Sequence, residues 1–220
     1  MAKKAEQYIY LPKRIPKSAQ NRYFKNLENE KMLSSIFDSF GHINGQHRYP
    51  VGTMHFGRAK AGGTACEVIA IYNVLKDIGK PSRLADLIFY DEVLGFMFLS
   101  GHFGTKIHRI GTFLDKLKVP YERLSVRDFI RSAGKKEYDD GQIFIVTIKT
   151  RAELPISQLH TFETVYYKDN WIVYNRFNDD EKPAVYKNAA DILRNGKYRG
   201  SFYSIYRINN DSQNEETARI

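Results

Sequence analysis

The segment CEVIAIYNVLKDIG, residues 66–79, is apolar around most of a helical circumference and stops at Gly79. Such a helix has no face to give to water, so it must lie centrally, with other elements on more than one side. Three more stretches carry helical spacing. NLENEKMLSSIFDSF has a stripe of Met32, Leu33, Ile36, Phe37 and Phe40; SRLADLIFYDEVLG has Ser82 as N-cap and Gly95 as stop; TKIHRIGTFLDKLK has Thr105 where a cap belongs. From VPYERL onward strand signals dominate, broken by a short helix at SVRDFIRSAG. QIFIVTIK, HTFETVYY, NWIVYNRF and SFYSIYRI are β-branched and aromatic in the manner of buried strands. Helices first and an antiparallel sheet after predict an α+β fold, with a central helix packed on a late sheet.

The chain has 220 residues, 42% of them hydrophobic, enough for one domain with a real core. The boundaries expected are a basic arm over 1–25, a single domain over 26–208 and a polar tail over 209–220. No apolar stretch has the length of a membrane span or a signal peptide, and one cysteine excludes an internal disulfide framework, so the expected location is the cytoplasm. Of the net charge of +9, an excess of +6 lies in the first 25 residues. There Lys3, Lys4, Lys13, Arg14, Lys17, Arg22 and Lys25 face a single Glu6, and Pro12 and Pro16 oppose one continuous helix. Such an arm is a solubilising leader or, with Tyr8, Tyr10, Tyr23 and Phe24 interleaved, a contact for nucleic acid or another anionic surface.

Cys66 opens the central helix just after Gly62 and Gly63. Unpaired amide hydrogens and the positive end of the helix dipole favour a thiolate there. A core thiol explains the residue equally well unless a proton shuttle accompanies it. Of His42, His47, His55, His102, His108 and His160, His160 opens a strand of the late sheet, where it is held rigidly against the central helix. A third group must fix its tautomer. Asn175 is the candidate and Asn178 the competitor. If Asp169 and Asn170 form a two-residue turn, Asn175 shares a face with His160; a three-residue loop puts Asn178 there instead. His102 is expected as a loop or capping residue. His42, His47 and His55 are irregularly spaced and lack clustered cysteines or carboxylates, so neither a metal nor a cofactor is expected.

The segments TACEVIAIYNVLKDIGK, GHFGTKIHRIGTFLDKLKVPY and LHTFETVYYKDNWIVYN resemble the papain-like cysteine peptidases. The nearest branch is the bacterial, bacteriocin-processing peptidases of double-glycine leaders and their stand-alone relatives. The resemblance runs from Gly62 to about Asn178. It implies Cys66 as nucleophile, His160 as general base and acid, Asn175 as orienting group, and a peptide or protein as substrate. It also implies a glutamine shortly before the cysteine as oxyanion donor, whereas GRAKAGGTAC has none. Gln46, Thr64, Lys60 or a main-chain amide are the candidates for that role. Without a donor, the same fold would serve as an inactive peptide-binding module.

Overall fold

The computed structural model describes residues 14–33, 41–151, 158–195 and 198–209. Helix α1 (Lys17–Glu30) starts directly after Pro16, whose missing amide hydrogen is harmless at a helix start. A small hairpin, β1 (His55–Phe56) and β2 (Ala59–Lys60), leads through the single turn α2 (Ala61–Thr64) into α3 (Cys66–Asp77). Helices α4 (Leu84–Val93) and α5 (Ile110–Lys116) follow, then β3 (Tyr121–Leu124) and α6 (Val126–Lys135). The remaining strands are β4 (Gln142–Lys149), β5 (Leu159–Tyr167), β6 (Asn170–Tyr174), β7 (Ala184–Tyr186), β8 (Arg194–Asn195), β9 (Tyr198–Arg199) and β10 (Ser201–Ile208).

Six strands form one antiparallel sheet in the order β3, β10, β4, β5, β6, β7. Both faces of its centre are covered, which is why QIFIVTIK is almost continuously apolar rather than alternating. Ile143 and Ile145 of β4 join the core built around α3, α4 and α5, whereas Phe144, Val146 and Ile148 join a second core with Phe129 of α6 and Trp171. Helix α3 is buried from Cys66 to Leu75 and lies against β5 and β4, as its sequence requires. The fold is α+β, with the central helix on a late antiparallel sheet.

Local expectations differ from this structure at several points. Of the helix expected over 26–40, residues 26–30 form the end of α1 (Lys17–Glu30), and Ile36, Phe37 and Phe40 fall outside the described residues. Helix α1 thus begins inside the expected arm and is fastened to the domain: Arg22 pairs with Glu92, and Tyr23 donates to Asp86 at 2.8 Å and packs tilted against Phe89. Of the four aromatics assigned to the arm, Tyr23 is therefore committed to packing, Phe24 is exposed, and Tyr8 and Tyr10 lie outside the described residues. Ser82 does not cap α4. The Glu30 carboxylate does, accepting from the amides of Leu84 and Ala85 at 2.5 and 3.2 Å. Ser125 caps α6 as a serine should, accepting from the Asp128 amide at 3.0 Å.

Candidate functional site

Cys66, His160, Gln46 and Glu67 open onto one pocket of about 1090 Å³. Its walls come from the start of α3, the start of β5, the loop before β1, the 98–108 loop and the segment after β6. Phe98 and Phe103 of that loop are exposed at the rim and lie 5.9 Å apart between ring centroids. His102 lies there too, on the loop as expected.

Tyr167 pairs with Asn170 and Glu163 with Tyr174, so the β5–β6 turn is Lys168–Asp169. Neither expected turn, Asp169–Asn170 or a three-residue loop, forms. Asn175 ends β6 in the left-handed region, at φ 56°, which asparagine tolerates better than most residues. That turn swings its main-chain oxygen to 2.7 Å from Nε2 of His160. A carbonyl only accepts, so Nε2 carries the hydrogen and Nδ1 is the basic nitrogen. The sequence reading expects the Asn175 side chain to orient His160; the main-chain carbonyl of Asn175 does so instead.

The Asn175 side chain braces Gln46 instead. Its Oδ1 accepts from the Gln46 amide at 3.0 Å, and its Nδ2 donates to Gln46 Oε1 at 3.0 Å. Nε2 of Gln46 donates to the Gly62 carbonyl at 2.7 Å. Of the oxyanion candidates, Gln46 and Thr64 line the pocket and Lys60 does not. Gln46 stands 20 positions before the cysteine, too far for a local motif to reveal. The competitor Asn178 lies on the rim, with Nδ2 3.2 Å from Nε2 of His47, whose Nδ1 is 3.1 Å from Asp179.

Burial pushes the Cys66 thiol well up, against the lowering expected from a helix start. The adjacent Glu67 carboxyl adds to the rise, while the Thr161 amide opposes it. Burial also brings His160 down to about 4. The pair thus rests as neutral thiol and neutral imidazole, and no hydrogen bond joins them. Glu67 and Asp91 are buried carboxyls outside the site expected from the sequence. The visible signal was an acid at the second position of an otherwise apolar helix. Thr105, expected as a helix cap, bridges the two acids: its amide donates to Glu67 at 3.4 Å and its hydroxyl to Asp91 at 3.1 Å.

Among the described residues, one grouping has donor atoms near enough to hold a cation: His42, Asp77 and Glu163. His42 already pairs with Asp77 at 2.6 Å and stacks on Tyr174 at 4.0 Å. His47 and His55 lie elsewhere, the first on the pocket rim and the second in β1. Among the described residues no helix is long and apolar enough to cross a membrane. No protein-family profile and no curated protein sequence matches the chain.

Proposed function

We propose that this pocket is the active site of a papain-like, cysteine-dependent peptidase or amide hydrolase, with Cys66 as nucleophile and His160 as acid and base. The observation that carries the reading is that the helix-opening thiol and the strand-opening imidazole face one pocket whose wall holds a braced carboxamide, Gln46. Substrate binding seats a peptide carbonyl against the sulfur and brings Nδ1 of His160 within reach of the thiol hydrogen. The thiol proton passes to Nδ1 of His160 as sulfur attacks the carbonyl carbon. The oxyanion meets the main-chain amide at the start of α3 and the second Nε2 hydrogen of Gln46, the first being held by Gly62. His160 then protonates the leaving nitrogen, the C–N bond breaks, and water activated by His160 hydrolyses the thioester. Asn175 acts as the orienting group through its carbonyl.

Cleavage of a peptide library, read by mass spectrometry, tests this reading. Wild type should cut a subset of peptides, and Cys66→Ser and His160→Ala should each abolish cutting. Peptides left intact by wild type, or cut equally by Cys66→Ser, overturn it. The raised thiol and the missing Cys66–His160 hydrogen bond favour one second reading, an inactive module that holds peptide in the pocket without cutting it. Peptide retention without cleavage is its signature.

A further inference from the structure

We propose that Glu67 is a positioning residue for Cys66, whose carboxyl orients the thiol and, by its charge, decides when the sulfur can ionise. The inference rests on reading Cys66 as the nucleophile. Glu67 occupies the second position of α3, is buried, and lines the pocket beside Cys66. Its carboxyl is within hydrogen-bonding reach of the thiol and accepts the Thr105 amide at 3.4 Å. Space for it exists because residue 104 is glycine: a Cβ there would lie 3.0 and 3.3 Å from the two carboxyl oxygens. Two elements other than α3 therefore fix where the carboxyl sits, the 98–108 loop directly and α4 through Asp91.

The surroundings give the carboxyl a variable charge. Facing it are Cys66 from its own helix, the Thr105 amide from the loop and Asp91 from α4. The Thr161 amide of β5 faces the sulfur. Lys106 acts on Asp91, and its Nζ is held by the Gly95 carbonyl at 2.9 Å. Burial keeps the Glu67 proton up to about 7, against the lowering by its main-chain and thiol neighbours. Ionised, the carboxylate accepts the S–H hydrogen and repels a thiolate. Protonated, it donates its O–H to the sulfur and supports one. The exchange moves one proton between sulfur and oxygen and changes no oxidation state.

The test is the pH profile of Cys66 alkylation by iodoacetamide, read by intact mass. Glu67→Gln keeps shape and removes charge. Its alkylation at pH 8 should be about tenfold faster than wild type, with the midpoint displaced by about one unit towards acid. Superimposable profiles overturn the proposal. Should Glu67→Gln not fold, carboxyl NMR of a folded pair decides the matter. The Glu67 midpoint should rise in Cys66→Ala, which loses the thiol hydrogen bond, and an unchanged midpoint overturns the proposal. Neither measurement uses peptide cleavage, so failure here is distinguishable from failure of the peptidase reading.

Discussion

The ring of His160 is held at 2.7 Å by the main-chain oxygen of Asn175, while the side chain of the same asparagine grips Gln46 from the other side. One residue thus sets the tautomer of the base and the position of the carboxamide, by different atoms. Asn175→Ala keeps the carbonyl and deletes the brace. Its kcat should fall about 10- to 100-fold, less than outright loss of an oxyanion donor, with an unchanged pH profile of kcat/KM. Stability should drop by about 1–3 kcal/mol, because Gln46 stays buried without its partner and alanine is strained at φ 56°. A displaced pH profile would assign the orienting role to the side chain.

His160 also makes stability depend on pH, with a defined sign. Its native proton affinity is depressed to about 4 by burial, whereas an unfolded histidine titrates near 6.5. Above pH 6.5 neither state is protonated. As pH falls from 6.5 to 4 the unfolded chain takes a proton that native His160 refuses, so stability is lost over that window and levels off below it. Glu67 acts oppositely: it holds its proton up to about 7 when native, so stability falls as pH rises from 4.5 to 7. The difference between wild type and His160→Gln removes the Glu67 contribution. Urea unfolding at pH 7 and 4.5 should show wild type losing on the order of 2 kcal/mol more than the variant. Equal losses would mean that His160 is solvated in the native state.

Glu30 is the cap that Ser82 was expected to be, reaching α4 from the end of α1. Two α4 amides depend on it, and its burial raises the carboxyl above its ordinary range. Glu30→Ala should cost about 1–2 kcal/mol in thermal or urea denaturation. Ser82→Ala should cost nothing measurable, since the N-cap position is Arg83 and no side chain of its own helix caps it.

The central helix, the late strands and Cys66 with His160 are legible in the sequence because they rest on periodicity and on single residues that open an element. What escaped depends on contacts between distant segments. Glu30 meets Leu84 across 54 positions and Asn175 meets Gln46 across 129, and no local pattern encodes either. The β5–β6 register failed for a local reason. Lys168 and Asp169 both adopt positive φ, 47° and 59°, the geometry of a type I′ turn, but lysine is not a residue that announces it. Periodicity predicts the burial of α3 but not its effect on Cys66: the helix start favours thiolate, and desolvation of the same site outweighs it.

Two glycines beside the pocket separate backbone need from open space. A Cβ on Gly63 would meet nothing within 4 Å, and that residue lies in the helical turn α2. Gly63→Ala should therefore be neutral or stabilising by a few tenths of a kcal/mol, through lower entropy of the unfolded chain. Gly104 sits at φ 75°, where a Cβ would lie 3.0 Å from Glu67 Oε2 and 3.1 Å from the Thr64 carbonyl. Gly104→Ala adds left-handed strain of about 1–2 kcal/mol to that crowding, so a loss of about 2–3 kcal/mol is expected. The same methyl pushes the Glu67 carboxyl off the thiol. Alkylation of Cys66 in Gly104→Ala should accordingly shift towards acid, as in Glu67→Gln, while Gly63→Ala retains the wild-type profile. A Gly104→Ala protein with normal stability and a wild-type alkylation midpoint would mean that the 98–108 loop does not press on the acid beside the cysteine.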